Sequence, residues 1–175
     1  MSVLAGPFAI ACVLLALGGA QKALRPTDTA RALRALRIPA GARIVRLGGV
    51  VELVIAALAL GTGAAVLAAL VAASYAAFAA FVVIALRAGA PIRSCGCFGK
   101  ADTPPHPVHV VLDVAAAGVA AAAALADRVA LPSVVAHQPL AGVPFVGLVL
   151  VGVYLAFVSL SALPLTLAAA RSVRT

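Results

Sequence analysis

The chain has 175 residues, 65% of them apolar and only 10% charged, with a mean hydropathy of +1.18. An ordinary soluble domain is about half apolar and a quarter charged, and a chain this short has too little interior to hide so much apolar surface from water. The composition argues against a soluble enzyme, a disordered tail and a disulfide-rich secreted scaffold. At roughly 20 apolar residues per crossing, the length accommodates four to six membrane spans. The formal charge of +8 does not point to nucleic acid. The Lys and Arg residues sit between the apolar stretches, aromatics that stack on bases are few, and a nucleic-acid surface needs a solvated basic face. Membrane lipids are the expected surroundings.

In chain order, the first apolar stretch predicts a helix over 3–21 with no charge before Lys22. A cleavable signal peptide wants a positive n-region, and Met1-Ser2-Val3 offers none, so the stretch reads as a retained helix. A basic linker follows, from Lys22 to Arg46, containing Arg25, Arg31, Arg34, Arg37 and Arg43. Within it Arg31 and Arg34 alternate with Leu33 and Leu36 at near-helical spacing, the pattern of a short helix lying on the inner leaflet. Pro39 and Gly41 punctuate it.

From Ile44 to Leu86 the single charge is Glu52. That stretch is too long for one span, and Gly61-Thr62-Gly63 divides it into predicted helices over 44–60 and 64–86. A second polar loop carries Arg93, Cys95, Gly96, Cys97, Lys100, Pro104, Pro105 and His106. The fourth helix is predicted over 108–125, with Asp113 in its first turns. A linker with Arg128 and Pro132 leads to a fifth helix over 143–170, which Pro164 is expected to kink. The expected fold is all-α: one polytopic membrane domain over 1–175, a bundle of four core transmembrane helices plus a fifth, C-terminal one. The many Ala and Gly residues suit close helix approach.

Five spans with the N-terminus outside place twelve of the thirteen basic residues in the cytoplasm and only Arg128 outside. The opposite orientation inverts that ratio, so the positive-inside rule favours a cytoplasmic cysteine loop in a multi-pass plasma-membrane protein.

Cys95-Gly96-Cys97-Phe98-Gly99 is the most informative stretch. Two thiols separated by one glycine can close a small, strained disulfide ring, and Gly96 supplies the backbone freedom. Strained or exposed disulfides are oxidising and exchange readily. Arg93 and Lys100 flank the pair, and the positive end of the next helix also favours thiolate. The alternative is two small residues packed in a tight turn, and Cys12, inside the first helix, is expected to do no more than pack. A second alternative joins Cys95 and Cys97 to His106 and His109, two thiolates and two imidazoles suited to zinc or copper.

Ionisable groups inside spans mark pathways or buried pairs. Glu52 lies roughly 12 Å along its helix at 1.5 Å per residue. Asp113 is shallower on the same side and Lys22 ends the first helix there, so the three converge below the cysteine loop. One arrangement pairs Lys22 with Asp113 and leaves Glu52 protonated, able to carry protons for thiol–quinone exchange. The other is an interhelical ion pair or hydrogen bond that holds the bundle together.

An early helix ending Gly18-Gly19-Ala20-Gln21-Lys22, a basic linker with Arg37-Ile38-Pro39, a second helix bearing Val51-Glu52-Leu53 and the Cys95-Gly96-Cys97-Phe98-Gly99 motif occur in that order. Over about residues 3–128 the chain thereby resembles the methylamine-utilisation MauE family, within a broader DoxX-like group of redox-associated membrane proteins. It departs from that pattern at Leu112-Asp113, where an arginine–asparagine pair is expected. The resemblance implies a part in disulfide formation or thiol redox maturation of exported proteins, with a methylamine dehydrogenase-type client.

The expected function is that of a membrane thiol–disulfide redox protein. Cys95, Cys97 and Glu52 are the candidate catalytic residues, with Lys22, Asp113, Arg93 and Lys100 in support. The expected partner is a thioredoxin-like protein or an exported client, and quinone is the one candidate cofactor. The rivals are a soft-metal carrier using the thiols and a non-catalytic assembly subunit. Exported clients fold outside, whereas the charge pattern puts the thiols inside. A cytoplasmic thioredoxin-like donor, a loop folded back into the bundle and a different helix count each reconcile the two. Side-specific labelling in sealed vesicles checks the orientation: an impermeant maleimide is expected to reach Cys95 and Cys97 from the cytoplasmic face, after reduction.

Overall fold

The structure is a computed structural model that describes residues 3–88, 105–126 and 139–162. Among the described residues every element is helical: α1 (Ala5–Leu24), α2 (Pro26–Ala35), α3 (Ala42–Thr62), α4 (Ala65–Arg87), α5 (Pro107–Leu125) and α6 (Pro139–Ser161). Four of these, α1, α3, α4 and α5, are long and apolar enough to cross a bilayer. The chain is a polytopic helical membrane protein, and α2 is the short helix anticipated in the basic linker. Arg93, Cys95, Cys97, Lys100 and Pro164 lie outside the described residues.

The side chains are arranged for lipid rather than water. The central cluster joins Phe8, Cys12 and Leu15 of α1, Ala56 and Ala59 of α3, Val71 and Tyr75 of α4, and Ala120 and Ala123 of α5. Small residues dominate it, while Leu47, Val66, Val111, Leu148 and Leu155 point outward. In water this arrangement would leave a large apolar surface exposed. In a bilayer no hydrophobic force drives helices together, so association depends on close packing of small side chains.

Helix α1 is the hub. Half of its span is enclosed by neighbours, against 22% for α3 and for α5. It packs most extensively on α3, while α4 pairs with α5, and α6 lies against α1 through Val149 and Val153. Lys22 is not part of a linker as the sequence suggested. Helix α1 continues to Leu24 and buries it.

The turn at Gly61-Thr62-Gly63 forms as anticipated. Gly63 adopts φ 61°, a left-handed conformation that costs glycine little, and its N–H bonds the Ala59 carbonyl. Helix α2 ends differently. Arg37 is left-handed at φ 60°, its N–H bonds the Arg34 carbonyl and the Ile38 N–H bonds that of Leu33. This is the Schellman closure with arginine where glycine is usual, and Pro39 then prevents continuation.

Helices α1 and α3 meet backbone to backbone. A Cβ added at Gly49 would fall 2.5 Å from the Gly19 carbonyl oxygen, and one at Gly19 would fall 2.6 Å from that of Gly49. Both backbones therefore meet where neither residue has a side chain. Gly49→Ala is expected to destabilise the protein by about 1–3 kcal/mol or more, the usual cost of overpacking. Gly61→Ala, on the same helix with nothing within 4 Å of its added Cβ, should leave the unfolding midpoint in detergent within a few degrees of the parent.

Candidate functional site

Lys22 of α1, Glu52 of α3 and Phe78 of α4 meet near the end of the bundle where α1 stops and α3 starts. Gly19 and Lys22 are one turn apart on α1, and Gly49 and Glu52 one turn apart on α3. Because the helices run antiparallel, Gly19 faces Glu52 and Gly49 faces Lys22. The two glycines thus make room for the two charges.

Lys22 Nζ reaches Glu52 Oε2 at 2.5 Å. The same ammonium lies 3.9 Å from the centroid of the Phe78 ring on α4, a cation–π contact strengthened by the lack of water. Lys22 is only 5% exposed. A buried charge of this kind is tolerated only when matched in place. The pairing of Lys22 with Asp113 considered from the sequence is not the one formed: α3 brings Glu52 directly onto the ammonium.

Asp113 is buried on α5. His109, one turn earlier on the same face, is buried too, with Nδ1 3.2 Å from the His106 carbonyl. His106 caps α5: its Nδ1 accepts the Val108 N–H at 3.3 Å, answering one of the orphan donors at the helix start. That nitrogen is occupied by the cap. Among the described residues no three His, Cys, Asp or Glu side chains gather as a metal site, and Cys95 and Cys97 are not among those residues.

Two cavities flank this cluster. The first, about 290 Å³, lies among α1, α2, α3 and α4, with Lys22, Glu52, Phe78 and Phe81 in its wall. The second, about 230 Å³, is bounded by Ile10, Leu14, Tyr75, Leu112, Asp113 and Ala156. Tyr75 and Phe78 touch edge to face, with centroids 5.9 Å apart and planes at 79°. One ring lines each cavity, so the pair divides them. Tyr75 Oη also donates to the Ala11 carbonyl at 2.7 Å, fixing α4 to α1.

Sequence reasoning brought Lys22, Glu52 and Asp113 to one level but missed Tyr75, Phe78 and the two glycines. The signals were available. Tyr75, Phe78 and Phe81 recur every three residues on one helical face, in a helix otherwise rich in alanine. Cys12 is buried and free, as expected of a packing residue.

Basic residues mark the same end of the bundle. Arg25, Arg31, Arg34, Arg37, Arg43 and Arg46 are all exposed there. Arg46 Nε donates to the Ala23 carbonyl at 3.1 Å, satisfying an orphan acceptor at the C-terminus of α1. Helix α4 ends at exposed Arg87 and α5 begins at Pro107. Ala85 packs on Ala32 of α2, so α4 ends on this side of the bundle.

The sequence profile of the family described as Methylamine utilisation protein MauE matches residues 1–127. No curated protein and no solved structure matches the chain.

Removing one member of a buried ion pair strands the other, at a typical cost of about 3–5 kcal/mol, whereas replacing both with apolar residues is often neutral. Lys22→Met is therefore expected to lower the unfolding midpoint sharply. Lys22→Met combined with Glu52→Leu should recover most of that loss, read as a double-mutant cycle in detergent.

Proposed function

Since the chain belongs to the MauE family of methylamine-utilisation proteins, we propose that it is a membrane thiol–disulfide redox protein whose exchanging pair is Cys95 and Cys97. The observation that carries this reading is the presence of ionisable side chains inside the bundle, Lys22 paired with half-buried Glu52 and Asp113 and His109 buried on α5, towards the end from which the cysteine-bearing segment departs. Helix α4 ends there at Arg87, and α5 begins with His109 and Asp113 in its first two turns. A purely structural bundle has no need of four ionisable side chains in its interior, and such groups in membrane proteins commonly serve proton or substrate pathways.

The chemistry follows from thiol–disulfide exchange. One cysteine thiolate attacks a sulfur of the partner's disulfide and expels the partner's other sulfur as thiolate. The second cysteine then attacks the mixed disulfide, releasing the partner as a dithiol and leaving a Cys95–Cys97 disulfide. Two electrons pass from the chain to the partner, and the protons lost by the two thiols balance those gained by the partner. Run in reverse, the same steps oxidise a client dithiol. The partner is a thioredoxin-like protein or an exported client, and a methylamine dehydrogenase-type client fits the family.

Proton movement falls to the buried groups. The ion pair occupies Glu52; among the described residues Asp113 is the buried carboxyl outside an ion pair, and His109 stands one turn nearer the start of α5. Asp113 and His109 are the groups placed to pass protons towards the thiols. Lys22 and Glu52 position them by fixing α1 against α3. The orientation is N-terminus outside in the plasma membrane, with the arginine-rich end in the cytoplasm.

Replacing the resolving cysteine with serine is expected to trap a mixed disulfide with the partner, visible on a non-reducing gel, and replacing the attacking one to abolish it. Asp113→Asn should slow exchange by about 10²-fold, the lower range for loss of a positioned proton-transfer group, without changing which cysteine forms the adduct. Full exchange in both serine variants overturns the reading. Bound copper or zinc lost on either substitution supports the metal carrier instead.

A further inference from the structure

The walls of the cavity beside the Lys22–Glu52 pair constrain what it can hold. At about 290 Å³ it sits at the lower limit of roughly 300–1,000 Å³ typical of small-molecule sites. It has room for one substituted ring but not for a whole lipid. Its polar features are the ion pair and Thr29, and the remaining walls are almost entirely apolar.

The cavity also faces the bilayer. Gly48, Ile44 and Ala77 in its wall are all exposed, Ile44 by 63%, so an occupant enters sideways from lipid with its tail left among the acyl chains. A phosphate headgroup would lose its hydration against apolar walls for a single ammonium already matched by Glu52. An acyl chain has no use for the ion pair. Phe78 and Phe81 offer rings to a flat partner.

The polar edge reads a carbonyl. An ammonium has three donors, and Lys22 spends one on Glu52 Oε2. A ring carbonyl at the cavity floor can accept another. A ring hydroxyl at the same place can donate to Glu52, whose carboxylate accepts at both oxygens. We propose that this cavity binds the headgroup of a lipid-soluble quinone, with Lys22 and Glu52 at its oxygen and Phe78 and Phe81 against its ring. This goes beyond the thiol chemistry and does not rest on it, since binding persists whether or not Cys95 and Cys97 exchange electrons with the bound ring.

The test uses the full chain in nanodiscs of phosphatidylcholine and phosphatidylglycerol, labelled with a photoactivatable azidoquinone and mapped by mass spectrometry. Labelling is expected on peptides of α1, α3 and α4, competed by excess decylubiquinone but not by palmitic acid. Gly48→Leu fills the cavity without displacing the fold, because a Cβ there meets nothing within 4 Å. It should cut labelling at least tenfold with an unchanged unfolding midpoint, and Ala77→Leu provides the same test from the opposite wall. Double replacement of Cys95 and Cys97 with serine should label as the parent does, separating failure of this site from failure of the thiol chemistry. Absence of competable labelling, equal labelling of both cavity-filled variants, or equal competition by palmitic acid overturns the proposal. The last result would assign the cavity to an acyl chain.

Discussion

The fold depends on keeping one ammonium in an apolar interior. Lys22 could be satisfied by snorkelling to the interface, as lysines near span ends commonly do. Instead it is buried among α1, α3 and α4, and its charge is answered by Glu52 and by the face of Phe78. Beside this pair the two helix backbones approach more closely than ordinary side chains allow. The reciprocal glycines supply that approach: Gly19 opens space opposite Glu52, and Gly49 opens space opposite Lys22. The charge pair and the glycine pair are thus one device, and loss of either part removes the reason for the other.

The same device explains where the empty space lies. With α1 drawn tightly onto α3, and α4 paired with α5, contact between α1 and α4 is left to a few residues. Tyr75 and Phe78 fill that seam, and large rings in an otherwise alanine-lined core hold the helices apart on either side of themselves. The two cavities flank this aromatic pair. Each receives one carboxyl group, Glu52 in the first and Asp113 in the second, and Lys22 is paired with Glu52.

Much of this was legible in the sequence. Composition alone requires a membrane bundle, Gly61-Thr62-Gly63 marks a turn that forms, and Arg31-x-x-Arg34 marks a helix that forms. The depth of Glu52 was enough to bring it to the level of Lys22. The choice of partner was not legible, because it depends on which helix pair packs most closely, and hydropathy carries no information about that. The spacing that decides it is present all the same: Gly19-Ala-Gln-Lys22 on α1 is matched by Gly49-Val-Val-Glu52 on α3. Each segment taken alone reads as ordinary helix, and only their antiparallel juxtaposition gives the repeated three-residue step its meaning. Phe78 was missed for a related reason. In a bilayer an aromatic side chain is as much at home facing lipid as facing a cation, so its type does not reveal its neighbour.

The inverted distribution of side-chain size gives the site its sharpness. In a water-soluble core, bulky residues fill irregular spaces and a misplaced charge draws in solvent. Here the interior is mostly alanine and glycine, and the bulky residues face outward. Such a core gains stability from close backbone contact and dispersion, so it has few long side chains able to swing into a gap. The exposed arginines at the end where α1 stops keep the α2 side at the membrane surface, where anionic headgroups attract them. That anchoring holds the mouth of the cavity within reach of the bilayer and the start of α5 within reach of the adjoining aqueous phase. The proposed exchange between a soluble thiol and a lipid-dissolved acceptor would need access to both at once, and the asymmetry of charge along the bundle is suited to it.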